Sequence, residues 1–399
     1  MKQWFLYIII LYNVFLLSGC HDNLELPIDP TPQPRAEAER TVILYMAADN
    51  TLYSAVRKDT AEMVLGKDQI PEDVNFFIYM DDKSLPAVYE LSAKGGLQLW
   101  KRYEEEQCST DSLTMLSVLR EIEQMFPARH YGLSMWSHAT GWAPERNGVR
   151  RNTFGKDESS GTASADLPDE MEIPVLRGVL AQLPRFDYIF FDACFMQCIE
   201  VAYELRDVTD WMVGSPAEIP GPGAPYDKIM SALCSADVYG IVRGYDSGYP
   251  LSPYTGVLLS VIDCTKLDAL AEATGRLLTP SFMERAEPST LGFQPYSTTI
   301  SKYTYCFDMR TTMRRLLSDE DYTAWMEVFD EAVPLRTLSD THTWYANTST
   351  VSRVYDPGCY GGVSMFVPLE TYDLNGCGWN NDFRRTAWYA ATGWEQTGW

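Results

Sequence analysis

Short apolar runs, each about one strand long, alternate with stretches of helical periodicity over the first two thirds of the chain. Thr41-Val-Ile-Leu-Tyr-Met-Ala47 is apolar and β-rich throughout, the pattern of a strand buried on both faces. Asp49 or Asn50 is placed to cap a helix over Leu52–Leu65. Val74–Met80 reads as a second strand ending at Asp81-Asp82, and Tyr89–Leu91 with Leu97–Trp100 as a hairpin turning at Gly95-Gly96. Asp111 opens a helix running to Met125. Tyr131–Trp136, Tyr188–Phe191, Trp211–Gly214 and Gly256–Ile262 complete the strands, and a helix over Met196–Arg206 follows the second of these at once. The alternation predicts an α/β domain over residues 41–264, with a mostly parallel sheet and helices on both faces. Past Cys264 the pattern changes: Asp268–Leu278 and Ser318–Ala332 look helical, Gly362–Val367 looks like one late strand, and the tail is rich in Trp, Tyr and Gly. A smaller C-terminal domain over 265–399 is expected, with no internal repeat.

The amino terminus has a different layout. Lys2 precedes an apolar run, Trp4–Leu17, and then Leu17-Ser18-Gly19-Cys20. A charged start, an apolar stretch and small residues at a cut define a secretory signal, here residues 1–19. The run is short of the about 20 residues that a spanning helix needs. Leu-Ser-Gly-Cys resembles the lipobox of bacterial lipoproteins. That resemblance implies cleavage before Cys20, lipidation of its sulfur, and residence in the cell envelope, in the outer membrane and facing the periplasm or the surface. An ordinary signal peptide with a chance cysteine is the alternative. Residues 20–40 are polar and carry Pro27, Pro30, Pro32 and Pro34, the composition of an extended tether.

Charge narrows the partners. Asp and Glu number 55 against 32 Lys and Arg, a net −23, which excludes phosphate contacts through clustered cations and polybasic docking on anionic lipid. The nine cysteines are scattered, with no CxxC pair at metal spacing, so neither a disulfide scaffold nor a zinc site is indicated.

Two strand ends carry the chemistry. Tyr131-Gly-Leu-Ser-Met-Trp-Ser-His138 runs directly into a histidine, followed by Ala139-Thr140-Gly141-Trp142. Phe186-Asp-Tyr-Ile-Phe-Phe-Asp192-Ala193-Cys194 runs directly into a cysteine. Parallel α/β sheets bind ligands beyond the carboxyl ends of their strands, so both residues fall on the functional edge. A thiolate is the nucleophile, and a neighbouring imidazole can take the thiol proton or form an ion pair with the thiolate. A helix beginning at Cys194 would favour the thiolate through its dipole. The backbone N–H of Cys194, with a second donor near Ala139, would hold an oxyanion. Taken singly, such a cysteine is more often a core residue and such a histidine structural. Cys198 on the same expected helix face is a packing residue or a redox partner. His130 begins its strand on the wrong edge, and His342 reads as structural.

The blocks Ser-Met-Trp-Ser-His138-Ala-Thr-Gly-Trp and Phe-Phe-Asp192-Ala-Cys194-Phe-Met resemble the His and Cys motifs of clostripain-like cysteine peptidases. Tyr45-Met-Ala-Ala-Asp-Asn50 and Ser215-Pro-Ala-Glu-Ile-Pro-Gly221 are similar to further family blocks, and the resemblance spans about Thr41 to Tyr226. It implies a caspase-like fold, a His138–Cys194 dyad with no required third member, and Asp192 as the acid beneath the S1 pocket, selecting Arg or Lys. Asp192 also suits a helix N-cap. Glu218 lines the pocket or is a loop acid. The family usually has Gly after the histidine, where this chain has Ala139; Gly permits backbone conformations that Ala resists, so if the position needs a positive φ the oxyanion donor would be displaced. Residues 143–172 form a long polar stretch with Arg146, Arg150, Arg151 and Lys156. Family members are activated by a cut after a basic residue in this interval, and a solvated loop has the same composition. No cofactor is required. Calcium, often used in the family, would find oxygen ligands at Asp49, Asp81 and Asp82, though without an ordered loop spacing. The implied function is a cysteine endopeptidase acting through a thioester acyl-enzyme on peptides with Arg or Lys. The competing readings are a fold-retaining, catalytically impaired peptide binder and a carbohydrate-binding surface lipoprotein.

Overall fold

The structure is a computed structural model that describes residues 33–143, 154–158, 170–248, 256–284, 292–296, 305–338, 342–347, 350–374, 376 and 378–399. Cys20, the signal segment and Arg146, Arg150 and Arg151 lie outside the described residues. Among the described residues no helix is long and apolar enough to cross a membrane.

The strands are β1 (Ala38–Ala47), β2 (Val74–Asp81), β3 (Ala87–Ser92), β4 (Gly96–Arg102), β5 (Ala128–Trp136), β6 (Phe186–Asp192), β7 (Thr209–Gly214), β8 (Ser260–Asp263), β9 (Phe307–Asp308), β10 (Leu335–Arg336), β11 (Thr343–Asn347), β12 (Thr350–Arg353) and β13 (Ser364–Met365). One sheet runs β10-β8-β7-β6-β5-β1-β2-β3-β4. Its centre, β7-β6-β5-β1-β2, is parallel, and antiparallel strands flank it on both sides. The chain leaves β1 towards β2 and later returns to build β5, β6 and β7 on the other side. That reversal makes a switch point between β1 and β5, where open α/β sheets place their sites.

Alternation explains how each strand serves two cores. Ile43, Tyr45 and Ala47 of β1 pack into one layer, and Val42, Leu44 and Met46 into the other. Helices α1 (Tyr53–Gly66), α5 (Tyr226–Ser235) and α6 (Val238–Gly248) cover the second layer. Helices α2 (Ser112–Met125), α3 (Ile173–Leu180), α4 (Ile199–Leu205) and α7 (Leu267–Gly275) cover the first. Helix α2 forms where the sequence places it: Asp111 accepts from the backbone of Leu113 and Thr114, and Met115, Val118, Leu119 and Ile122 bury one stripe. Asn50 does not cap α1 directly. It turns the chain into the helix, accepting at Oδ1 from Leu52 N at 2.8 Å.

Pro34–Trp399 forms one compact unit. The region past residue 264 contributes β10 to the main sheet and shares the core beneath it through Trp325, Phe329, Trp388 and Trp394. The late strand pairs as β13 with β9.

Strands β5 and β6 meet closely because Gly132 stands opposite Tyr188. A Cβ at Gly132 would come 2.5 Å from the Tyr188 ring, whose hydroxyl donates to Leu233 O at 2.9 Å. Gly132→Ala is therefore expected to destabilise the fold by about 1–3 kcal/mol, through overpacking at this pair. Denaturant unfolding of the purified variant reads this directly, and wild-type stability would show that the ring moves aside freely.

Candidate active site

The parallel register sets Trp136, the last residue of β5, opposite Asp192, the last of β6. His138 and Cys194 each lie two residues further on, so both leave the same edge of neighbouring strands, which lie about 4.8 Å apart. The two turns then pack on each other. Gly141 has φ +84°, and a Cβ there would stand 3.0 Å from Phe195 O and 3.3 Å from Cys198 Sγ. Glycine meets both demands of that crossing, the left-handed backbone and the close approach.

The helix expected directly at Cys194 starts later, at Ile199, with Cys198 as its N-cap residue. The backbone between is taken by tertiary bonds: Phe195 N donates to Ala217 O, Gln197 N to Ser215 O, and Ser364 N to Gln197 O. Phe195, fully buried, is held at φ 61°, a strained position of the kind found beside reacting groups. The dipole of α4 therefore does not act on Cys194, and Cys198 does not share a helical face with it.

Cys194 is partly exposed, and its Sγ accepts a hydrogen bond from Ile219 N at 3.4 Å. Dense packing pushes its thiol up to about 12, Ile219 N–H pulls the other way, and the charges of Glu218 and Asp192 add to the rise. A thiol raised in this way attacks only once a base takes its proton. His138 is held at Nε2 by Thr51 Oγ1, 2.8 Å away. Thr51 sits in the β1–α1 turn, across the switch point. Its neighbour Asn50 is buried and donates through Nδ2 to Ala47 O and Lys156 O, both at 2.9 Å. Ser137 Oγ donates to Ala47 O at 2.6 Å. These bonds tie the ends of β1 and β5 into one frame. Nothing in the sequence pattern singles out Thr51, which is exposed and follows a motif whose other members are buried.

Ala139 forms an antiparallel bridge with Phe154, while Gly155 N donates to His138 O at 2.9 Å. Among the described non-glycine residues, positive φ occurs only at Phe195, Ala236 and His342. Ala139 is thus not forced into the conformation that would demand glycine. A trans peptide points the His138 carbonyl and the Ala139 N–H in opposite directions. The carbonyl accepts from Gly155 N, so the Ala139 N–H points away from that segment.

Asp192 lies on the opposite layer from Phe191. It is 2% exposed, and its carboxylate accepts from Ala224 N (2.9 Å), Tyr226 Oη (3.0 Å) and Tyr245 Oη (3.3 Å). Burial raises it to about 6, against these donors. Asp192 therefore does not cap α4. Asp59 of α1 is a close second acid, bonded to Trp136 Nε1 at 2.9 Å. Glu218 precedes the Ile219 donor and acts electrostatically on Cys194. His130 pairs with Asp187 at 3.1 Å, far along β5 from the site. His342 opens the β11–β12 hairpin. Of the calcium candidates, Asp49 pairs with Lys83, Asp82 accepts from Ser84 N, and Asp81 faces Asp157. Among the described residues no group of three His, Cys, Asp or Glu side chains converges. Trp344, Trp379, Trp388 and Trp394 are buried, so the aromatic tail is core.

A mostly parallel sheet covered on both faces, with a thiol and an imidazole at adjoining strand ends, defines the class: a cysteine hydrolase of caspase-like fold. The comparisons agree. The sequence pattern of the clostripain family, peptidase C11, matches residues 44–399. Clostripain of Hathewaya histolytica is 25% identical over 221 residues, 48% of this chain and 42% of that one, so the chain spans less than half the length of that relative. A secreted C11 cysteine protease from Bacteroides thetaiotaomicron, solved with an irreversible peptide inhibitor, superposes with a TM-score of 0.76 at 29% identity, covering 90% of this chain and 99% of that one. An inactive zymogen C11 protease from Parabacteroides distasonis gives 0.75 at 27%, with the same coverage. This chain belongs to the clostripain family of cysteine peptidases.

Two buried acids beside the site make stability depend on pH. Burial, reinforced by Asp192, raises Asp59 to about 8; burial, reinforced by Asp157, raises Asp81 to about 9. A raised acid keeps its proton in the folded chain. The stability it contributes is whole below about pH 4 and is lost as pH rises through the folded values. The unfolding temperature is expected to fall between about pH 4 and 9, and Asp59→Asn to flatten that slope. A thermal scan series that rises or stays level over this range would contradict it.

Proposed function

We propose that the chain is an endopeptidase that cleaves after Arg or Lys, with Cys194 as nucleophile and His138 as its base. The observation that supports the reading is the β5–β6 register, which puts His138 and Cys194 two residues past the paired ends of adjoining strands. Substrate binding brings the scissile carbonyl to Cys194. His138 takes the thiol proton, and sulfur attacks the carbonyl carbon. The oxyanion gathers against backbone N–H groups, those of Cys194 and Ala139 being the donors at hand. His138 returns its proton to the leaving amine, which leaves a thioester that water hydrolyses with His138 again as base.

Asp192 supplies the preference for a cation. With its ionisation near 6 it carries charge at neutral pH, two residues before the nucleophile, in a site that also holds Glu218. Three donors fix that charge in place, so it acts as a preorganised field rather than a mobile partner. A cut in the 143–172 interval would activate the chain. Of its four basic residues, Lys156 has its N–H bonded to Ser137 Oγ and its carbonyl to Asn50, which leaves Arg146, Arg150 and Arg151 as the cut positions. Cys20 bears the lipid that keeps the enzyme on the envelope, which the Leu-Ser-Gly-Cys block supports. The alternative is a catalytically impaired peptide binder, for which Ala139 in place of the usual Gly is the motive.

Fluorogenic peptides ending in Arg, Lys or a neutral residue test this. Wild type, after limited nicking, is expected to turn over the basic substrates, and Cys194→Ala to abolish turnover while staying folded. Asp192→Asn is expected to lower kcat/KM on Arg and Lys substrates by roughly 30-fold or more relative to the neutral one. Unchanged selectivity in that variant would place the specificity acid elsewhere, and a silent wild type would end the peptidase reading.

A further inference from the structure

The dyad reading leaves one contact unused. Thr51 Oγ1 lies 2.8 Å from His138 Nε2, and nothing in a two-residue mechanism calls for it. We infer that Thr51 is a positioning residue that fixes the tautomer and ring orientation of His138, so that Nδ1 is the nitrogen that takes the Cys194 proton. The inference rests on His138 being the base.

A neutral imidazole has one donor and one acceptor nitrogen, and the bond made by one nitrogen decides which end bears the lone pair. If Nε2 donates its hydrogen to Thr51 Oγ1, Nδ1 is left as the acceptor. When Nδ1 takes the thiol proton, both nitrogens become donors, and the Thr51 oxygen continues to accept from Nε2. The same contact therefore serves the resting and the charged ring, and it strengthens as charge develops. The reverse arrangement, Thr51 donating to Nε2, would put the hydrogen on Nδ1 and leave no acceptor for the thiol.

The surroundings make Thr51 suited to this task although it is exposed. Asn50, one residue earlier, is fully buried and bonded to Ala47 O, Lys156 O and Leu52 N. Ser137, one residue before His138, is 3% exposed and bonded to the same Ala47 carbonyl. Thr51 and His138 thus project from two buried residues anchored to a common point at the switch between β1 and β5. Their separation is fixed by the sheet rather than by either loop. Threonine's branched Cβ restricts its hydroxyl to few rotamers, which narrows the placement further.

The test uses Thr51→Val, which keeps the shape and removes the oxygen, and Thr51→Ser, which restores it. In the full chain, Thr51→Val is expected to lower kcat by about ten- to a hundredfold with KM nearly unchanged. It should also move the pH profile of kcat/KM, and Thr51→Ser should recover both. A second readout is independent of turnover: nitrogen-15 NMR of the imidazoles, with the His138 signal identified by its loss in His138→Ala. Wild type should show His138 with its hydrogen on Nε2, and Thr51→Val a mixture of tautomers. Wild-type kcat and pH profile in Thr51→Val, a loss confined to KM, or an unaltered tautomer would each overturn the inference. If the wild type turns over no peptide at all, the NMR arm still decides on Thr51, and it is the peptidase reading that has failed.

Discussion

Parallel pairing of β5 with β6 is the constraint from which the rest of the site follows. Trp136 faces Asp192 across the ladder, and each strand overruns that pair by two residues to present His138 and Cys194. A slip of one residue would turn the slipped strand inside out, moving Leu133 of β5 or Ile189 of β6 from one core layer to the other. The register is therefore held by the whole hydrophobic pattern of both strands, and by Gly132, which alone admits the Tyr188 ring. The proposed pair inherits its placement from this packing.

The ends beyond the sheet are then secured by bonds that no single segment could make. The turn after Cys194 is fastened to β7's following loop and to β13, and the turn after β5 to the β1 end through Ser137 and Asn50. Gly141 brings the two turns into contact. Buried acids crowd the same edge: Asp59 and Asp192 on one layer, Asp81 and Asp157 beyond β2. Crowded carboxyls raise one another, so the site stores unfavourable electrostatics at alkaline pH, a common condition of places where charge must develop during reaction.

Much of this was legible in the sequence. The strands from β1 to β7 and the capped helix α2 stand where periodicity and Asp111 put them, and β10 escaped because two residues carry no period. The candidate edge was legible because an apolar run ending in His or Cys is a local pattern. What the pattern could not carry was the path of the chain after Cys194. Met196–Leu205 has helical composition throughout, yet Phe195 and Gln197 give their N–H groups to Ala217 and Ser215, and the helix waits until Ile199. The partners of Asp192 were hidden for the same reason: Tyr226 and Tyr245 lie 34 and 53 residues further along, and only the packing of α5 and α6 on β6 brings them in. The closing of one domain around the C-terminal aromatics likewise depends on contacts far apart in the chain.

The separation of Cys194 Sγ from the nearer imidazole nitrogen of His138, in a crystal of the nicked enzyme, tests the central claim most directly. Hydrogen-bond reach, or the slightly longer spacing typical of enzymes without substrate, is the predicted result. A thiol and a ring facing away from each other, with no side-chain rotation able to join them, would contradict it.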